Sequence, residues 1–230
     1  ETPAMSRGVL LAEDNPVNAL IVQKLLARLG HKVVHVWNGA QAVAAVAETV
    51  EKDESFDLVL MDLQMPELDG LAATRQIRAL EDERRRAGDD AGRLRILALT
   101  ANAMEGDRER CLAAGMDDFL SKPFSQQQLS SKLGRWLRPE MVLQRSLPAE
   151  AADTHTDPVI DIGVLRNIAA LPRANLLASM IDLYLQHSPE LLRGIDAAAQ
   201  AGRADELHHA AHSLKSSTAN LGGVRLAAVA

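Results

Sequence analysis

The chain has 230 residues, 47% of them hydrophobic and 3% aromatic, which is ample apolar material for burial but more length than one average domain needs, so two domains are expected. A net charge of −6 leaves no broad electrostatic footprint for DNA or RNA, and the single cysteine, Cys111, cannot form an internal disulfide, which fits a reducing cytosol. Apolar runs fall short of the roughly 18 residues needed to span a bilayer, and Glu1-Thr2-Pro3-Ala4 lacks a basic-then-apolar leader, so a soluble segment without membrane contact is expected.

Residues 1–6 read as an N-terminal extension. Over residues 7–138, short apolar runs alternate with amphipathic stretches, the pattern of strand–helix units on a parallel sheet. Gly8–Ala12 is the first strand; Asn15 and Pro16 then supply a cap and a preset first helical position, and Gly30 ends the helix. The strand Lys32–Val36 precedes a helix over Gly39–Val50, and Leu58–Met61 precedes one over Gly70–Glu83. Residues 84–93 have no apolar period, and neighbouring acids neutralise their arginines, so they read as a solvated loop or frayed helix end. Ile96–Leu99 and Phe119–Leu120 are the last strands, followed by helices over Met104–Ala114 and Ser125–Leu137. The expected fold is therefore α/β, a doubly wound five-stranded parallel sheet.

A stretch rich in Pro, Ala, Glu and Thr places a linker at 139–160 and opens a second, all-α domain at 161–230. Leu176, Leu177, Met180, Leu183, Tyr184, Leu191, Leu192 and Ile195 recur at helical spacing, with Pro189 expected to kink or divide the helix. Another helix is expected from near Ala204 to Ala219 or Leu221, before Gly222-Gly223, and a third from Val224. A chain that starts at Glu1 and stops inside a helical pattern reads as an excerpt of a longer protein.

Chemistry gathers where the strands of the first domain end, at Glu13-Asp14, Asp62, Thr100-Ala101 and Lys122-Pro123. The ligand crevice of a parallel α/β sheet lies beyond the carboxyl ends of its strands, so these residues converge. Three crowded carboxylates repel one another unless a hard cation joins them, and an oxygen-only donor set suits Mg²⁺. Asp62 then serves as ligand and nucleophile: with Mg²⁺ and the Lys122 ammonium drawing charge from a phosphoryl group, its oxygen can attack phosphorus and form an aspartyl phosphate. Thr100 can offer its hydroxyl to that group. Taken singly, each residue also has an ordinary structural reading, such as a helix-leading acidic turn or a core phenylalanine; joint placement gives them force.

The motifs Leu10-Leu11-Ala12-Glu13-Asp14-Asn15, Val59-Leu60-Met61-Asp62-Leu63-Gln64-Met65-Pro66-Glu67-Leu68-Asp69-Gly70, Ile96-Leu97-Ala98-Leu99-Thr100-Ala101 and Phe119-Leu120-Ser121-Lys122-Pro123-Phe124 resemble a response-regulator receiver domain, over residues 7–138. The resemblance implies a flavodoxin-like fold, Mg²⁺ held by Glu13, Asp14, Asp62 and the backbone carbonyl of Gln64, phosphorylation of Asp62, phosphate sensing by Thr100 and Lys122, and an aromatic switch at Phe119. Haloacid-dehalogenase-like phosphatases also form phosphoaspartate, but they carry a second Asp two positions after the nucleophile, where Gln64 stands.

In the second domain, Leu207-His208-His209-Ala210-Ala211-His212-Ser213-Leu214-Lys215-Ser216 carries three of the seven histidines. Helical spacing places His208, His212, Lys215 and Ser216 on one face and turns Ala211, Leu214 and Leu221 toward a core. An exposed imidazole can accept a phosphoryl group, which Lys215 would partly neutralise, with the small Ser216 leaving room for a partner. His208 and His212 have metal-ligand spacing, but no acid or cysteine pairs with them by motif. The run resembles the histidine-phosphotransfer (HPt) motif over about 161–230, with His212 at the phosphorylated position, Lys215 as its basic neighbour, and Ser216 where the family usually has glycine. That family folds as a four-helix bundle, so this segment reads as an incomplete one whose apolar face needs further chain or another chain.

Together the two domains resemble the C-terminal part of a hybrid sensor histidine kinase, which implies a cytoplasmic phosphorelay with an upstream histidine-kinase domain and a downstream response regulator; such a parent can be anchored in the inner membrane by other segments. These residues carry no glycine-rich ATP lid or Asn-rich nucleotide box, so kinase catalysis lies elsewhere. A linker of about 20 residues gives a coil of roughly 25 Å r.m.s. and an effective concentration on the order of millimolar for transfer within the chain. The alternative reading is a phospho-regulated binding module whose receiver docks or sequesters a partner.

Overall fold

The computed structural model describes residues 7–51, 55–89, 92–100, 105–122, 124, 126–137, 160–169, 175–223 and 225–226. The extension 1–6, the linker up to residue 159, Ala101, Pro123 and the helix start at Val224 lie outside the described residues. The chain forms two compact units, Glu1–Lys132 and Leu133–Ala230.

The first unit alternates β1 (Gly8–Ala12), α1 (Pro16–Arg28), β2 (Lys32–Val36), α2 (Gly39–Glu51), β3 (Leu58–Asp62), α3 (Gly70–Arg86), β4 (Arg95–Thr100), α4 (Glu105–Ala114) and β5 (Asp118–Ser121), with α5 (Gln126–Leu137) crossing the division between units. All ladders are parallel in the order β2-β1-β3-β4-β5, the doubly wound sheet expected from sequence. β3 is buried along its whole length, as a strand covered on both faces should be. Leu10, Val59, Met61, Ile77 and Ile96 form the centre of the core, and Ala42 and Ala73 let α2 and α3 approach closely.

Two boundaries differ from the sequence reading in ways that matter. Asp62 pairs with Leu99 and Thr100 with Ser121, so these two site residues are the last rungs of β3 and β4 rather than loop residues beyond them. α3 continues through Arg86 instead of fraying at Arg84; its basic last turn complements the helix dipole, and Arg85 donates to Asp82 at 2.8 Å while Arg84 pairs with Asp89.

Backbone contact fixes the segment after β3. A Cβ on Gly70 would sit 2.0 Å from the Asp62 carbonyl oxygen, and one on Gly39 would sit 2.3 Å from that of Leu68. Only glycine allows α2 and α3 to begin this close to β3 and the loop that follows it.

The second unit contains α6 (Ile162–Ala169), α7 (Leu176–Gln200) and α8 (Ala204–Asn220). Asp161 accepts from Gly163 N–H at 2.7 Å, and its own N–H donates to the Gly222 carbonyl at 2.6 Å, which ties the start of α6 to the turn after α8. α7 is not divided at Pro189; it runs on to Gln200 with the proline inside it. Tyr184 and Thr218 hydroxyls bond at 2.8 Å between α7 and α8, beside a core that includes Met180 and Leu214. Ile181, Leu185 and Leu192 are exposed along α7.

Candidate phosphoacceptor site

Glu13 and Asp14 occupy the step between β1 and α1. The Glu13 N–H donates to the Val36 carbonyl at 3.1 Å, extending the β1–β2 ladder by one bond, and the Asn15 side chain then caps α1 by accepting from Val17 and Asn18 N–H at 3.0 and 3.3 Å. Lys122 follows β5 directly, and its N–H donates to the Thr100 carbonyl at 2.6 Å. Three strand ends thereby bring three functional groups to one point.

At that point Lys122 Nζ donates to Glu13 Oε2 at 2.5 Å and to Asp62 Oδ2 at 2.6 Å. The three side chains are almost wholly withdrawn from solvent, with exposures of 3% for Lys122, 0% for Glu13 and 3% for Asp62. Two further contacts fix Glu13, and sequence reasoning missed both. Asn18 Nδ2 donates to Glu13 Oε1 at 2.9 Å, and His35 Nε2 donates to the Glu13 carbonyl at 2.8 Å. The available signal for Asn18 was a polar residue between Val17 and Ala19 at a buried start of helix; for His35 there was none, because its partner is a backbone atom on another strand.

Electrostatics follow from this crowding. Burial, reinforced by the Asp62 carboxylate and more weakly by Asp14, pushes the Glu13 carboxyl up to about 8 against the opposing pull of Lys122. Burial works against the Lys122 ammonium, but Asp62 and Glu13 outweigh it and hold the group protonated beyond the ordinary lysine range.

Glu13, Asp14 and Asp62 each present an oxygen within 4.8 Å of the others, the one such grouping of His, Cys and carboxylate side chains among the described residues. An all-carboxylate donor set, mutually repulsive and with one member driven toward protonation, fits a hard divalent cation of the Mg²⁺ type. Gln64 stands beside the cluster, its N–H 3.4 Å from Asp62 Oδ1. Thr100 is buried at the end of β4, and Phe119 is half-buried against the core.

On α8, the structure corrects one expectation. Lys215 and His208 are exposed and His212 is half-buried, but Ser216 is buried and donates to the Ser213 carbonyl at 3.3 Å. Ser213, Leu214, Ser216, Ser217 and Thr218 are all buried. At about 100° per residue this arc reaches round to Ser216 and stops just short of His212. Ser216 therefore belongs to the packed side of the helix, and His208, His212 and Lys215 form the edge beside it. The His208 and His212 rings lie 6.5 Å apart, tilted by 36°.

The sheet order, the acidic strand-end cluster and its lysine place the first unit among the α/β phosphoacceptor domains of two-component signalling. Comparison with known families matches residues 9–134 to the response regulator receiver domain and residues 179–230 to the Hpt domain, and the chain belongs to the receiver family with an Hpt domain following. Sensor protein GacS of Pseudomonas syringae pv. syringae is 39% identical over 218 residues, covering 92% of this chain, and sensor histidine kinase GacS of Pseudomonas protegens is 35% identical over 224 residues, covering 96%. The chain spans 22% and 23% of the lengths of those relatives. Among solved structures, the co-crystal of the Saccharomyces cerevisiae histidine phosphotransfer signaling protein Ypd1 with the receiver domain of its downstream response regulator Ssk1 matches with 30% identity and a TM-score of 0.52, over 60% of this chain and 94% of that one. No helix among the described residues is long and apolar enough to cross a membrane.

Proposed function

We propose that this chain carries two successive stations of a phosphorelay, Asp62 in a receiver domain over 7–138 and His212 in an HPt domain over 161–230, joined by a linker at 139–160. The observation that supports the reading is the Lys122 ammonium held between Glu13 Oε2 and Asp62 Oδ2, next to three clustered acidic side chains that could hold a divalent cation. Glu13, Asp14, Asp62 and the Gln64 carbonyl hold Mg²⁺, which when bound neutralises charge on the phosphoryl oxygens.

Asp62 attacks the phosphorus of an upstream phosphohistidine; the new O–P bond forms as the N–P bond breaks, and the electron pair returns to the donor imidazole. Lys122 stays protonated at Nζ and draws charge from the phosphoryl group, while the Thr100 hydroxyl donates to it and Phe119 moves inward. A ring nitrogen of His212 then attacks the acyl phosphate, regenerating the Asp62 carboxylate, with Lys215 supplying positive charge one turn away. The upstream partner is a histidine-kinase domain and the downstream partner an aspartate of a separate response regulator. The relay operates in the cytoplasm.

Incubation with Mg²⁺ and a small acyl-phosphate donor tests the reading. An alkali-labile label lost in Asp62→Asn, and an acid-labile label lost in His212→Ala, are expected. Persistent aspartyl label in Asp62→Asn overturns the acceptor assignment. Aspartyl label without histidyl label favours a phospho-regulated binding module over a relay.

A further inference from the structure

The aromatic ring at Phe119 has a neighbour that the relay chemistry does not use. Lys132, on α5, donates from Nζ to Asp118 Oδ1 at 2.7 Å, and the same Nζ lies 5.3 Å from the centroid of the Phe119 ring. Asp118 Oδ1 also accepts from the Phe119 N–H at 2.8 Å, so one oxygen anchors both the ammonium and the backbone of the ring it covers. Lys132 is 30% exposed and Asp118 12%, so the anchor is sheltered.

Along the sheet the ring's neighbour is small. The ladder partner of Phe119 is Ala98, a small residue, and Thr100 lies two residues further along the same face of β4. A ring moving from its half-buried place toward Thr100 thus crosses a methyl group, and what it leaves behind is the cation 5.3 Å from its centroid.

We propose that Lys132 is a positioning residue for the Phe119 switch: held by Asp118, its ammonium retains the ring in the outer position and sets how readily phosphorylation draws it inward. This rests on the reading of Phe119 as the moving element. Loss of an attraction between a cation and a ring shifts such a two-position equilibrium by about two- to fivefold.

The test uses the full 230-residue chain with 4-fluorophenylalanine at its three phenylalanines, the Phe119 resonance being assigned from Phe119→Leu. Beryllofluoride with Mg²⁺ serves as the phosphoryl probe. Lys132→Met is expected to shift the Phe119 signal about two- to fivefold toward the probe-bound position without the probe, and Lys132→Arg to restore the parent value. Asp118→Asn, which keeps an acceptor for the Phe119 N–H but frees the ammonium, is expected to shift it in the same direction. An unchanged Phe56 signal verifies the fold of each variant. If the probe moves Phe119 in the parent but Lys132→Met leaves the resting signal untouched, or if Met and Arg shift it equally, the role of Lys132 is overturned and the switch stands. If the probe moves Phe119 in no variant, the switch itself falls, and Lys132 with it.

Discussion

For the proposed Mg²⁺ site, cation uptake is expected to displace the proton that burial favours on Glu13. With its carboxyl at about 8, roughly 90% of the metal-free protein carries that proton at pH 7, so Mg²⁺ binding releases about 0.9 proton per ion. The competition weakens the apparent affinity about tenfold relative to alkaline pH, about 1.4 kcal/mol, and the change between pH 6 and 9 amounts to about 90-fold. Titration calorimetry in two buffers of different ionisation enthalpy measures the proton count directly, and the same titrations across pH give the affinity. Glu13→Gln, which deletes the titrating group, is expected to bind more weakly and with a nearly flat pH profile. Release below about 0.2 proton at pH 7, with affinity varying less than about threefold from pH 6 to 9, would refute the argument that burial and Asp62 dominate Glu13.

The same group shapes stability. Its folded pKa is raised above the ordinary 4.5, so the stability it contributes is complete below about pH 4.5 and is lost as pH rises through about 8; urea unfolding in chelator should show that decline in the parent and not in Glu13→Gln. Gly70→Ala forces a methyl against the Asp62 carbonyl and is expected to destabilise the first unit by about 3 kcal/mol or more and to reduce aspartyl labelling, read by urea unfolding and label yield. Asn15→Ala removes the α1 cap and should cost about 1 kcal/mol in the same unfolding assay. Tyr184→Phe loses the hydroxyl bond to Thr218 and should lower the stability of the second unit by about 1 kcal/mol while leaving aspartyl labelling unchanged.

The architecture of the first unit was legible because its signals are local. Apolar runs of strand length, the Asn15-Pro16 start and Gly30 each state their structure within a few residues, and the parallel order follows from strand–helix alternation. Convergence of Glu13, Asp62 and Lys122 was legible for the same reason: each stands at a strand end, and topology does the rest. Asn18, His35 and Lys132 were not, because their contacts depend on rotamers and on which side of a neighbouring strand a side chain passes. Ser216 was misjudged by the width of the buried arc on α8, a quantity set by the helices packed against it and not by the 3.6-residue period alone. α6 lies inside the segment read as all-α, but its eight residues, Ile162–Ala169, are too few for periodicity to give it bounds of its own.

The Lys122–Glu13 contact spans 109 positions in sequence. During synthesis the chain delivers β1, β3 and β4 before Lys122, so a nascent domain at that stage would gather Glu13 and Asp62 in one crevice without their shared cation. Emergence of the last strand therefore does more than complete the sheet. It supplies the charge that offsets the burial of the Asp62 carboxylate, and the strand-end cluster and the finished domain come into being in the same event.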